Sequence, residues 1–167
     1  MEKVILVDEN DNELGVMEKM QAHQKALLHR AFSIFIFNTK GELLLQRRAL
    51  TKYHSPGLWT NTCCSHPRPT EQTIDAAMRR LQEEMGFTCE LKLKFNFTYK
   101  ALLDQGLTEH ELDHVYFGNY EGEIKINKEE VAEWKYMSLN EITNDILKKP
   151  NDYTVWFKII INKIRLT

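Results

Sequence analysis

The sequence predicts a single α/β (α+β) domain over residues 1–167, built as a mixed sheet flanked by helices. Three observations carry that expectation. Phe32 to Phe37 is apolar almost throughout, as expected of a strand covered on both faces. Ile74, Ala77, Met78, Leu81 and Met85 recur with the helical period. Strand-like segments then alternate with two further helical stretches near the C-terminus.

Taken in order, Val4-Ile5-Leu6-Val7 reads as a strand, turned by Asp8 to Asn12, with Leu14-Gly15-Val16 pairing back onto it. The Phe32–Phe37 strand is turned by Asn38-Thr39-Lys40-Gly41 and returns over Glu42 to Gln46. A loop from Leu50 to Leu58 contains Pro56-Gly57. Thr70 is the expected N-cap of a helix from Glu71 to about Met85, stopped by Gly86. Cys89 to Tyr99, Leu112 to Tyr120 and Trp134 to Met137 read as strands. Ser138 and Glu141 have the spacing of a capping box. The helix they open runs to about Lys148, and beyond Pro150 a last helix covers roughly Tyr153 to Arg165.

Bulk properties exclude several classes. A net charge of -2 gives no basis for nucleic-acid binding. No apolar run reaches the roughly 20 residues that span a bilayer, and Met1 to Val4 does not resemble a secretory signal. Three cysteines, two of them adjacent, make a poor disulfide framework and point to a cytoplasmic protein with reduced thiols.

Trp59-Thr60-Asn61-Thr62-Cys63-Cys64-Ser65-His66-Pro67 carries the chemistry. Side chains alternate in an extended segment, so Cys64 and His66 share one face and Cys63 takes the other. Trp59 is expected to line the wall beside Cys64. Further on, Glu109 and Glu111 alternate with His110 and present both carboxylates the same way, with Asp113 on the same face. On the helix, Arg80 and Glu84 stand four apart and can reach the same spot. Cys63, Cys89, His54, His110 and His114 read as structural or solvent-facing.

From Ser65 to Phe87 the spacing resembles the Nudix box, a glycine followed at fixed intervals by Glu and by Arg-Glu-apolar-any-Glu-Glu-any-Gly-apolar. Glu71, Arg79, Leu81, Glu83, Glu84, Gly86 and Phe87 match it. Ser65 replaces the first glycine and Arg80 replaces a glutamate, which weakens multi-metal hydrolysis and favours holding a diphosphate intact. With the cysteine segment in front of it, the chain resembles the type I isopentenyl diphosphate isomerases, a Nudix-fold family. His23 with His29, Arg47-Arg48-Ala49, Pro56 to Trp59, Glu109-His110-Glu111 and Trp156 also fall in that family's order.

The resemblance implies interconversion of isopentenyl and dimethylallyl diphosphate, in isoprenoid precursor biosynthesis. It makes Cys64 and Glu111 the proton-transfer pair, Tyr99 an orienting partner of Glu111, and Trp156 a π-face for a carbocation-like species. It implies one zinc or manganese ion on His23, His29, His66, Glu109 and Glu111, and a magnesium ion bridging Glu84 and the diphosphate. Lys19, Arg48, Lys52 and Arg80 are then the diphosphate ligands, and an N-terminal segment carrying Lys19 and His23 closes over the substrate. The expected partner is a small isoprenoid diphosphate, with no nucleic acid or membrane, and the chain a monomer or small homo-oligomer. Two other readings compete: a Nudix pyrophosphohydrolase acting on a nucleotide diphosphate, and a non-catalytic metal- or phosphate-binding module.

Overall fold

Phe32–Phe37 lies in the central strand of the sheet, as its two-sided apolarity requires. The computed structural model describes residues 1–166. In chain order its elements are β1 (Lys3–Val7), β2 (Glu13–Glu18), α1 (Lys19–Gln24), β3 (His29–Phe37), β4 (Leu43–Arg48), β5 (Trp59–Thr60) and β6 (Cys63–Ser65). There follow α2 (Thr73–Met85), β7 (Leu91–Leu102), β8 (Thr108–Asn119), β9 (Val131–Met137), α3 (Leu139–Lys148) and α4 (Val155–Leu166). The strands form one mixed sheet.

β3 pairs in parallel with β8 from His29↔Glu111 to Phe37↔Asn119, and β7 runs antiparallel along the far side of β8. β3 and β4 meet only at Phe37↔Leu43 and then diverge. β6 pairs with β3 in the gap, while β5 and β9 pair with β4. That divergence opens the sheet where the functional residues gather.

Period-two alternation sorts the side chains of β3 onto two cores. Phe32, Ile34 and Ile36 pack with Cys63, Leu81 and Met85 beneath α2. Phe35 packs on the opposite face with Leu45, Val115, Trp156, Phe157 and Ile160, beneath α4. The helical period of α2 buries Ala77, Leu81 and Met85, leaves Asp75, Gln82 and Glu83 outward, and turns Arg80 and Glu84 to the cavity.

Three local features differ from the sequence expectations. α2 begins at Thr73 with Gln72 at its N-cap, not after Thr70. Thr70 adopts φ 71° inside a turn in which Glu71 N–H donates to Arg68 O at 3.0 Å. Glu71 stays out of the helix because its carboxylate accepts from Arg79 at 2.7 and 2.9 Å. The short helix α1 was not anticipated. β7, β8 and β9 all start or end beyond their apolar stretches, since backbone pairing continues after the hydrophobic pattern stops. The Ser138–Glu141 capping box is formed, with Glu141 N–H donating to Ser138 Oγ at 3.2 Å. No helix among the described residues is long and apolar enough to cross a membrane.

Gly86 ends α2 at φ 78°, and a Cβ there would lie 2.3 Å from Lys125 O. Left-handed backbone alone costs a β-carbon about 1–2 kcal/mol, and the overlap with backbone adds to it. Gly86→Ala should therefore lower unfolding free energy by at least about 2 kcal/mol in urea melts; an unchanged midpoint would contradict this account of the turn.

Candidate active site

Register decides what surrounds Glu111. β8 sets it directly opposite His29 on one neighbouring strand and Tyr99 on the other, so the three side chains stand in a row. Tyr99 donates to Glu111 Oε2 at 2.8 Å, and His66 Nε2 lies 2.8 Å from Glu111 Oε1. His29 Nε2 is 3.5 Å from the same oxygen. Glu111 is 7% exposed, so these groups replace the water it has lost.

Two histidines have their tautomers fixed from behind. His23 Nδ1 lies 2.8 Å from Lys19 O, and His29 Nδ1 lies 2.8 Å from Leu27 O. A carbonyl can only accept, so both Nδ1 atoms carry a proton and each ring turns its Nε2 inward. Those Nε2 atoms face carboxylate oxygens, His23 toward Glu109 at 3.4 Å and His29 toward Glu111. Lone pair against anion is repulsive unless a proton or cation lies between. Both Nε2 atoms and Glu109 Oε2 are buried without a hydrogen-bond partner. The donor atoms of His23, His29, His66 and Glu111 all fall within 4.8 Å of one another, and His23, His54 and Glu109 form a second such group. This buried donor set fits a divalent metal ion.

The electrostatics agree. Burial, reinforced by the neighbouring Glu111, holds the Glu109 carboxyl well above its usual range. Burial also works against an ionised Glu111, but the His29 and His66 imidazoles beside it outweigh that and hold the carboxyl well below its usual range. A divalent cation bound here would displace any proton held between the two carboxylates. Burial drives the His66 imidazolium down to about 4 despite the Glu111 contact.

Cys64, Glu111, Tyr99 and Trp156 line one cavity of about 490 Å³. Lys19, Arg48, Lys52, Arg80 and Glu84 line it too, as do His66 and Glu109. His23 and His29 stand fully buried behind the wall. Alternation along β6 is as the sequence requires: Cys63 enters the core while Cys64 turns to the cavity, registered against Ser33 of β3. Burial pushes the Cys64 thiol up to about 12, with Arg48 opposing, so it is neutral at physiological pH.

The basic residues are not a loose surface patch. Arg80 donates to Glu84 Oε1 and to Glu83 Oε2, each at 2.6 Å, and Gln46 Nε2 donates to Glu84 Oε2 at 2.8 Å. Burial opposes the charge of Arg80, yet Glu84 outweighs it and keeps the guanidinium firmly protonated. Lys52 pairs with Glu130, and Lys19 with Glu2 at 3.0 Å. Arg48 donates to the carbonyls of Ser55 and His54, and its guanidinium lies 5.3 Å from the Trp156 ring centroid. One face of that ring thus already meets a cation.

One sequence expectation fails here, and for His54, read as structural or solvent-facing, one of the two alternatives does. Trp59 does not line the cavity: its ring lies 4.1 Å from Lys135 Nζ, and its carbonyl accepts from Thr154. Asn61 donates to the carbonyls of Ile34 and Cys63 and interrupts the extended segment, and alternation over five residues would itself set Trp59 opposite Cys64. His54 is not solvent-facing. It is 5% exposed, lines the cavity, and has its imidazolium driven down to about 2 by burial and Arg48. Its place in the Leu50–Leu58 loop, two residues after Lys52, was the available signal. Gln46, two residues before Arg48 on β4, was missed for want of the same alternation argument.

A mixed sheet, a glutamate-bearing helix and a metal-compatible cluster define the class. The family model for the NUDIX domain matches residues 27–157. The "Isopentenyl-diphosphate Delta-isomerase 2" of Aromatoleum aromaticum is 53% identical over 98% of this chain and 86% of its own length. The "Isopentenyl-diphosphate Delta-isomerase" of Pectobacterium atrosepticum is 53% identical over 97% and 90%. Among solved structures, DR0079 from Deinococcus radiodurans superposes with a TM-score of 0.82 at 15% identity, covering 97% of this chain and 98% of its own. The MutT protein from Methanosarcina mazei gives 0.66 at 20%, covering 81% and 91%. These two likenesses concern the fold alone. The chain belongs to the NUDIX domain family and, within it, to the isopentenyl-diphosphate Delta-isomerases.

Alkylation of Cys64 by iodoacetamide, followed on its own peptide by mass spectrometry, should keep accelerating past about pH 10, because the thiolate forms far above the ordinary value of about 8.5. A plateau near pH 9 would contradict the burial argument.

Proposed function

We propose that this chain interconverts isopentenyl and dimethylallyl diphosphate by protonating and deprotonating the alkene, with Cys64 and Glu111 as the acid–base pair. The observation that carries the reading is that a neutral thiol and an ionised, oriented carboxylate line the same cavity. His66 lies two residues beyond Cys64, an offset of about 6.6 Å along an extended chain, and it touches Glu111. An alkene with one reactive group on either side needs a gap of that order.

In one direction a proton is delivered to one alkene carbon and another leaves the allylic carbon; the reverse reaction exchanges the two roles. Tyr99 occupies Glu111 Oε2 and fixes the carboxylate plane, leaving the remaining lone pairs for the transfer. Trp156, 3% exposed, supplies an apolar wall that keeps water from a carbocation-like species. Its ring is the π-system that meets developing positive charge.

A zinc or manganese ion on the His23, His29, His66, Glu109 and Glu111 donors would restrain Glu111 and lower its proton affinity. Magnesium, which accepts few carboxylates, suits the free lone pairs of Glu84 next to Arg80. Lys19, Arg48, Lys52 and Arg80 bind the diphosphate, exchanging carboxylate partners for phosphate oxygens. The free thiols suit a cytoplasmic enzyme, a single domain over residues 1–167 that acts as a monomer or small homo-oligomer.

Hydrolysis of a nucleotide diphosphate is disfavoured because Arg80 neutralises Glu83 and Glu84, where a hydrolase needs them bare for metal. Incubation with isopentenyl diphosphate and magnesium in heavy water should yield deuterated dimethylallyl diphosphate. Cys64→Ala should cut turnover by at least about 1,000-fold with circular dichroism unchanged. Release of phosphate or pyrophosphate, or near-normal turnover of the variant, would reject the assignment.

A further inference from the structure

Each cation assigned to the diphosphate already has a partner within the chain. Lys19 has Glu2, Lys52 has Glu130, Arg80 has Glu83 and Glu84, and Arg48 has the carbonyls of His54 and Ser55. Two donors beside these cations have none: the Nε–H of Arg80 and the hydroxyl of Tyr53. Both residues line the cavity, and both atoms are buried without a hydrogen-bond partner among the described residues. A dry, unpaired hydroxyl is costly, so one that persists at a cavity wall points to an acceptor that arrives with a ligand.

The surroundings of Tyr53 hold its ring and leave its proton free. His54 meets the ring edge-on at 4.5 Å between centroids, and Lys19 Nζ lies 5.4 Å from the ring centroid. Arg48 closes the loop that carries Tyr53 by donating to the carbonyls of His54 and Ser55 at 3.1 and 3.2 Å. An ammonium only donates, so Lys19 cannot take the phenol's proton. Burial pushes the phenol above its ordinary value although Lys19 opposes it, and the hydroxyl keeps that proton at neutral pH. A fixed O–H beside an ammonium suits an anion that accepts from both.

We propose that the Tyr53 hydroxyl is a further ligand of the diphosphate, donating to a phosphate oxygen that Lys19 also contacts. The inference rests on the isomerase reading above and adds a neutral donor to its four cations. Lys19 belongs to α1 and Tyr53 to the loop between β4 and β5, segments distant in the chain. One phosphate oxygen held by both ties the N-terminal segment to the loop that carries Lys52, so the headgroup itself draws the mouth of the cavity together.

Tyr53→Phe keeps the ring and its contacts with His54 and Lys19, and removes only the donor. The full chain and this variant, each with magnesium, are titrated calorimetrically with inorganic pyrophosphate and assayed with isopentenyl diphosphate. The variant should bind pyrophosphate at least about 10-fold more weakly. Its KM should rise by far more than its kcat falls, with no loss of thermal stability. The ¹³Cζ NMR signal of Tyr53, assigned by its absence from the variant, should move when pyrophosphate is added to the full chain. Equal affinities, a signal that stays in place, or a loss confined to kcat overturns the proposal and leaves the isomerase reading standing. A full chain that binds pyrophosphate through Tyr53 but leaves isopentenyl diphosphate unconverted overturns the isomerase reading instead.

Discussion

A carboxylate buried to 7% exposure and still ionised is the constraint around which this molecule is arranged. Removing such a group from water costs several kcal/mol in a folded protein. Hydrogen bonds to a charged group return about 1.5–3 kcal/mol each. The Tyr99 and His66 contacts at 2.8 Å are therefore of the right size to hold Glu111 charged, and His29 adds to them. A carboxylate fixed in this way presents a defined direction to the cavity and belongs to a buried donor set that fits a divalent ion.

The backbone supplies the arrangement through register. Tyr99, Glu111 and His29 are neighbours only because β7, β8 and β3 pair as they do. A slip of one residue between β3 and β8 would put Leu112 or His110 opposite His29 and turn Glu111 to the other face. The two cores on either side of β3 guard against that slip, since it would also exchange Phe32, Ile34 and Ile36 with Ser33 and Phe35. Packing far from the cavity thus sets the chemistry inside it. The divergence of β3 from β4 supplies the remaining requirement, a gap in which Cys64 on β6 can face the cavity beside Arg48 and Gln46 of β4.

Local periodicity made much of this legible in the sequence. Alternation separated Cys63 from Cys64 and set Glu109 with Glu111; helical spacing paired Arg80 with Glu84; and the capping box located α3. What stayed hidden depends on partners distant in sequence. Thr70 has the chemistry of a cap, yet the Glu71–Arg79 pair pulls the chain into a turn and delays α2. Trp59 lies an odd number of residues from Cys64, and its ring is taken by Lys135 and its carbonyl by Thr154, both distant in sequence. His54 belongs to a loop without periodicity, and only the closure of that loop by Arg48 brings it to Glu109. Glu109 in turn groups with His54, which spacing alone could not separate from a single five-donor set.

Arg80 stands where the helix would otherwise concentrate negative charge. Its guanidinium lies among Glu83, Glu84 and Glu130, cancelling the carboxylate density that multi-metal hydrolysis needs. The structure of the metal-loaded chain with an unreactive, saturated analogue of isopentenyl diphosphate tests the whole account most directly. The account places the hydrocarbon between Cys64 Sγ and the Glu111 carboxylate, with the phosphates beside Arg80 and Glu84. Phosphates bound at the histidine cluster, or a hydrocarbon remote from either reactive group, would contradict it.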